Sequence, residues 1–307
     1  MVSAEPAQDY RSLEYPRECS FSRNDWDILA NFWYPIALES DIGDQPVKAR
    51  LLDTDLVIAR LGSEYVVSKD LCIHRGAPLS NGWVRDECIV CPYHGYRFDA
   101  AGKCVLVPSH PEWKIPCKLR LQTILHEERY GIIWVCLSGK PANCIPIWEP
   151  EESDSTYRRF TLGPEIWNCS AGRLIENFID NAHFSFVHRS SFGQEESASM
   201  GAEYEFSQDE YTMTMEFDYK ATNPDDSPIA NASELDRHMR RTLFLPFFTR
   251  TVISYPGARE HLIHFNIAPI SARESQLIAV FHRNFDHDVP IEQLRDWEKR
   301  IIYEDRA

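Results

Sequence analysis

The chain has little of what marks export, membrane insertion or polyanion binding. Its most sustained apolar run, GIIWVCL at 131–137, is far shorter than the roughly 20 residues a bilayer-crossing helix needs. The opening MVSAEPAQDYRSLEYPRECSFSRNDWD lacks the continuous apolar core of a secretory signal. Basic charge is scarce: 32 Lys and Arg against 47 Asp and Glu leave a net charge of −15, which argues against a nucleic-acid partner because neutralising phosphates takes a basic surface. No glycine pair stands in the G-x-G-x-x-G spacing that binds a flavin or nicotinamide, and there is no repeat or low-complexity tract. These absences lead us to expect a cytoplasmic chain with reduced thiols, no membrane partner and no nucleotide fold of its own.

A chain of 307 residues, 43% of them hydrophobic, is long enough for two domains with real cores. Residues 1–25 read as a flexible lead. From 26 to 150 the pattern is one of short strands. LLDTDLVIARLGSEYVVSKD alternates around a Gly-Ser turn, ECIVCPYHGYRFDAAGKCV repeats the form, and RYGIIWVCLSG adds a buried strand. The acidic, proline-bearing PIWEPEESDSTYRRF reads as a linker into a second domain, 151–307. There SAGRLIENFIDNAHFSFVHRSS has helical spacing, and YTMTMEFDYKAT, RTLFLPFFTRTVISY, HLIHFNIAPI and QLIAVFHRNF are β-like. IEQLRDWEKRIIYEDRA reads as a closing helix. The expected class is α+β: an all-β domain, then an antiparallel sheet packed on helices.

Two of the nine cysteines stand in mixed pairs, Cys72-x-His74 and Cys91-x-x-His94. Two thiolates and two imidazoles suit either zinc or a two-iron, two-sulfur cluster. A zinc finger usually keeps its cysteines in one pair and its histidines in the other. The mixed pairs here let both cysteines hold one iron while both histidines hold the second. Gly76, Gly82 and Gly95, with Pro78 and Pro92, stand where tight turns bring backbone N–H groups near the sulfurs. Lys69, Arg75, Arg85, Arg97 and Lys103 surround the motif as a docking patch for an acidic electron carrier, or as solvated loop charges.

The second constellation is Asp180, His183 and His188. On a regular helix the two histidines stand about 140° apart, so a shared metal requires the helix to widen or break near Phe186, as in a π-bulge. Two imidazoles plus a carboxylate make the facial triad of a non-haem Fe(II) oxygenase, with positions left for dioxygen and substrate.

CIHRGAPLS followed by CPYHGYRFD resembles the Rieske ferredoxin motif, and E-N-x-x-D-x-x-H-x4-H at 176–188 resembles the catalytic motif of Rieske non-haem iron oxygenases. The likeness runs from Trp33 through the last helix. It implies a Rieske domain followed by a helix-grip, START-like catalytic domain. It also implies a third iron ligand in the C-terminal helix, for which Asp305 is the candidate ahead of Asp288 and Asp296; relatives continue beyond that position. It further implies a head-to-tail homotrimer in which the cluster of one copy faces the iron of the next. Asp180 would hold His183 and reach His94 of the neighbouring copy, and Asn177 would line the iron site. Electrons would come from a separate reductase, with or without a ferredoxin. Chain length and the IEN-xx-D motif resemble the monooxygenase and demethylase branch, acting on an aromatic or heterocyclic small molecule. Ring dihydroxylation, a Rieske electron carrier without catalysis of its own, and a zinc-bearing binding module remain alternatives. His264, Asn266 and Asn284 are the expected polar selectors of the pocket.

Overall fold

The computed structural model describes residues 13–193, 203–221 and 235–306. By contacts the chain divides into two units, one of residues 1–145 with 268–272, the other of 146–267 with 273–307.

The first unit opens on α1 (Arg23–Leu29), started by Ser22, whose hydroxyl accepts from the Asp25 N–H. Strand β1 (Tyr34–Leu38) follows, then a three-stranded meander of β2 (Val47–Leu51), β3 (Thr54–Leu61) and β4 (Glu64–Lys69). Next come the short β5 (Trp83–Arg85), β6 (Cys88–Val90), β7 (Arg97–Phe98) and β8 (Cys104–Leu106), hydrogen-bonded in that order. Strands β9 (Leu125–Arg129) and β10 (Ile132–Cys136) form a hairpin whose β10 pairs with β1. Val57, Leu79, Ile89, Phe98 and Val107 share one core with Cys72 and Cys91. The residues expected to form a flexible lead depart from that reading: among those described, Leu13 is buried with its N–H on the Leu137 carbonyl, and 23–25 belong to α1.

The second unit begins at Pro146, so the segment read as a linker lies inside it. It forms α2 (Glu149–Ser153), and Glu151 is buried because its carboxylate meets Arg250 at 2.7 Å and His264 at 3.2 Å. Acidic composition pointed to solvent; here the charge is satisfied internally. Strand β11 (Arg158–Trp167) leads to α3 (Ala171–Ile179) and the single turn α4 (Phe184–Val187). After them run β12 (Glu205–Gln208), β13 (Thr212–Ala221), β14 (Leu235–Phe244), β15 (Phe248–Tyr255), β16 (Arg259–Ser271) and β17 (Glu274–Arg283), before α5 (Ile291–Glu304). The seven strands form one sheet in the order β11-β17-β16-β15-β14-β13-β12. Leu174, Ile175 and Phe178 of α3 and Leu294 and Ile302 of α5 share a core with Ile267, Leu277 and Phe281 of the sheet. That packing brings the ends of α3 and α5 to one side of the sheet. No helix among the described residues is long and apolar enough to cross a membrane.

Candidate metal centres

In the first unit, Cys72 and Cys91 each open a loop of the same design. The Cys72 carbonyl accepts from Gly76 N at 2.9 Å and its N–H donates to the Ala77 carbonyl at 2.8 Å. The Cys91 carbonyl accepts from Gly95 N at 3.0 Å and its N–H donates to Tyr96 O at 2.9 Å. Both glycines sit at positive φ, +72° and +68°, where a side chain would be strained. Asp70 ties the first loop down by accepting from Ser80 N and Oγ at 2.7 and 2.6 Å. The turns bury both thiols and leave both histidines exposed, with His74 Nδ1 3.2 Å from His94 Nδ1. Tyr96 stacks on His74, rings 4.8 Å apart and nearly parallel. Burial pushes the Cys72 thiol up, opposed by the His74 and Arg75 N–H groups that point at its sulfur. A buried thiol pair, one sulfur faced by two backbone N–H groups, with two imidazole nitrogens converging beside it, fits a cluster held by two sulfurs and two nitrogens. The other cysteines make no disulfide, and Cys88 lies buried on β6. Of the basic side chains around the motif, Arg97 and Arg85 lie 2.7 and 4.0 Å from Asp86, which offsets part of the patch.

In the second unit the helix carrying the E-N-x-x-D motif stops where the metal chemistry begins. Ser170 caps its start by accepting from Arg173 N, and Asp180 ends it in extended backbone, φ −73° and ψ 145°. The expected π-bulge near Phe186 is not formed. The break lies at 180–182, ahead of both histidines, which flank α4 as its cap residues. The cause is local: the Asp180 carboxylate accepts from the N–H groups of Ala182 and His183, diverting them from the helical ladder.

This break turns His183 and His188 toward Asp305, the C-cap of α5, so that one donor atom from each lies within 4.8 Å of the others. His183 Nε2 is 3.5 Å and His188 Nε2 3.3 Å from Asp305 Oδ1. The opposite ring nitrogens are engaged: His183 Nδ1 contacts Asp180 Oδ2 at 2.7 Å, and His188 Nδ1 contacts Glu304 Oε2 at 2.9 Å. Since a carboxylate accepts, each Nδ1 carries the proton and each Nε2 presents a lone pair. Asp305 Oδ1 is buried and has no hydrogen-bond partner. Three acceptors facing one another with no proton between them repel unless a cation stands there, and two imidazoles with one carboxylate are the donor set of non-haem Fe(II).

The triad lines a cavity walled by Phe178, Phe184, Ile253, Phe265 and Ile301. Asn177 lines the same cavity, its buried Nδ2 without a hydrogen-bond partner. Asp288 and Asp296 are exposed and stand outside it. The expected selectors also fall elsewhere. On β16 the odd residues His261, Ile263 and Phe265 line the cavity, whereas His264 and Asn266 occupy the other face of the sheet. His264 packs on Trp148 and Glu151, and Asn266 Nδ2 donates to the His264 and Ile278 carbonyls. Asn284 binds the backbone of Ala258 and Glu260. Alternation pairs residues on a face without saying which face meets the cavity. Four polar residues of this site were not anticipated: Glu304, Arg237, Arg241 and Glu298. Glu304 stands beside Asp305, and the spacing of Arg237, Met239 and Arg241 along β14 carries the signal for the two arginines.

Comparison with known proteins agrees with this geometry. Residues 32–124 match the Rieske 2Fe-2S domain, and residues 167–307 match the vanillate O-demethylase oxygenase C-terminal domain. Methylxanthine N1-demethylase of Pseudomonas putida is 30% identical over 271 residues, 85% of this chain and 75% of that one. The chain belongs to the Rieske non-haem iron oxygenase family. The vanillate O-demethylase oxygenase subunit of a Pseudomonas strain is 34% identical over 169 residues, 54% of this chain and 47% of that one. The caffeine-bound structure of P. putida NdmA superposes with a TM-score of 0.82 at 27% identity, over 92% of this chain and 83% of that one. Dicamba monooxygenase bound to dicamba, at 24% identity, shares the fold with a TM-score of 0.78 over 91% of this chain and 85% of that one. As a Rieske oxygenase the chain uses a Rieske cluster, a mononuclear non-haem iron and dioxygen. It is the oxygenase component of a multi-component system, fed by a reductase and acting on a small molecule.

Proposed function

We propose that this oxygenase oxidatively removes a methyl group from an aromatic or heterocyclic compound. Cys72, His74, Cys91 and His94 hold the cluster, and His183, His188 and Asp305 hold the iron. The observation that carries the iron assignment is the convergence of two Nε2 lone pairs and an orphaned carboxylate oxygen in one apolar cavity. When bound, the iron would supply dioxygen activation and the cluster single electrons. The chain's own work is positional. Asp180 and Glu304 hold the imidazole protons on Nδ1, and Phe178, Phe184 and Phe265 keep water from the reacting carbon. One oxygen atom enters a methyl C–H bond and the other leaves as water with two electrons and two protons; the hydroxymethyl product then releases formaldehyde. The likeness to methylxanthine N1-demethylase and to the vanillate O-demethylase oxygenase subunit supports this reading over ring dihydroxylation.

The same reading has the protein act in the cytoplasm as a head-to-tail homotrimer, a closed ring of heterologous contacts. Two features support the ring. Asp180 is about half exposed although it binds His183, and the exposed His94 lies beside exposed Tyr93. Phe186 and Val187, next to the iron ligands, are exposed as well. A second copy would cover these surfaces and bring its His94 to Asp180. The test is oxygen uptake by reconstituted protein with an NADH-dependent reductase across methylated aromatics and heterocycles. Formaldehyde equal to the oxygen consumed is expected. A cis-diol formed without formaldehyde would establish ring dihydroxylation instead.

A further inference from the structure

Two guanidinium groups line the cavity beside the iron triad. On β14, alternation turns Arg237, Met239 and Arg241 to the cavity, and both arginines are buried. Arg241 is 5% exposed and has only neutral partners. Its Nε donates to Thr251 Oγ1 at 3.1 Å, one Nη to Asn181 Oδ1 at 2.9 Å, and the other Nη to Met239 Sδ at 3.2 Å. A guanidinium has five N–H groups, so two remain for whatever enters the cavity. No carboxylate lies within ion-pair distance of Arg241 among the described residues. The nearby acids are already engaged. Asp180 binds His183 at 2.7 Å, and Glu298 meets Arg283 at 3.1 Å and His261 at 3.4 Å. Arg237 adds a second guanidinium on the same wall, over the Tyr219 and Tyr255 rings at 5.9 and 5.2 Å. His261, also lining the cavity, is held neutral by burial and by the neighbouring Arg283.

A buried cation without a counter-ion is strongly disfavoured, and a pocket that retains one is matched to an anion. A planar carboxylate fits the guanidinium fork with two parallel hydrogen bonds, and the aromatic walls fit a flat ring. We infer that the substrate is an aromatic carboxylic acid, bound as its anion by Arg241, with the ring between the phenylalanine walls and the methylated position turned to the iron triad. This deepens the demethylase reading and rests on it. It also separates the chain from a relative crystallised with caffeine, which carries no charge. Arg241 is placed to read the charge because Asn181, two residues before His183, accepts from it. The anchor and an iron-binding segment are thereby tied together.

The test is calorimetric titration of the anaerobic holoprotein with 4-methoxybenzoate, 3-methoxybenzoate and the neutral isostere 4-methoxybenzamide. The acids should bind at least about tenfold more tightly than the amide. Arg241→Met should erase that ratio, and Arg241→Lys should keep part of it. The melting temperature of the Met variant reports whether it is folded; should it not fold, the wild-type acid-to-amide ratio and the Lys variant decide alone. Equal binding of acid and amide, no binding of either acid, or a ratio that survives Arg241→Met would overturn the inference. Formaldehyde release from neutral caffeine alongside equal acid and amide binding would remove the anion claim and leave the demethylase reading standing. Acid-selective binding with no oxygen uptake would do the reverse.

Discussion

Asp180 does three things with one carboxylate: it ends α3, caps the turn before α4, and fixes the His183 proton. Replacing it by Asn keeps an acceptor for the N–H groups and removes the charge. We therefore expect Asp180→Asn to retain both metals while reduction of the iron site stalls, read as the rate of cluster oxidation in a single turnover. An unchanged rate would leave Asp180 as a cap alone. Glu304 has the matching role on the second histidine, where it accepts from His188 Nδ1, from Ser191 Oγ at 2.7 Å and from Ser190. Glu304→Ala should weaken ferrous binding by about 10- to 100-fold, measured by equilibrium titration of iron-free protein, and leave the cluster spectrum intact. The Cys/His pairs and His183 and His188 are visible in the chain because each group lies within a few positions. Glu304 and Arg241 are not, since their partners lie 116 and 60 residues away respectively, a separation no local pattern encodes.

The elements were legible in kind and misjudged at their ends. Helical spacing through 170–191 suggested one distorted helix, because periodicity registers apolar positions and is blind to a carboxylate that intercepts backbone N–H groups. PIWEPEESDSTYRRF looked like a linker for a similar reason: the buried Glu151 and half-buried Glu152, paired to Arg250, Arg159 and histidines, are indistinguishable by composition from solvated acids. Most strands of both units and the closing helix were readable, since alternation and β-branched content mark them directly, whereas β1, β11 and β12 were not singled out. Where α4 meets the loop after it, packing leaves no room for a methyl group. A Cβ on Gly193 would stand 2.0 Å from the Phe184 carbonyl oxygen, and Gly193 N donates to the His188 carbonyl at 2.8 Å. Gly193→Ala should push this turn aside and lower iron occupancy, measured by metal analysis, with the visible spectrum of the first unit unaltered. Full occupancy would mean the loop yields without moving His188.

Each unit of the chain has its own core, and each holds one candidate metal centre. A ferrous chelator should therefore act on one without the other. Iron should fall from about three to about two per chain while the cluster absorbance persists. Calorimetry should show a lower unfolding temperature for the second unit alone. A free ferrous concentration roughly 100-fold above its dissociation constant is worth about 2.7 kcal/mol to the state that binds it. Simultaneous loss of both signals would mean that the two units melt as one.

The ferrous ligands come from opposite ends of the second unit's sequence, two imidazoles flanking α4 and one carboxylate closing α5. A nascent chain therefore has no competent metal trap until α5 has docked. Ferrous capture during refolding thus becomes a stopwatch for that docking event, running independently of any colour that develops around the cysteines.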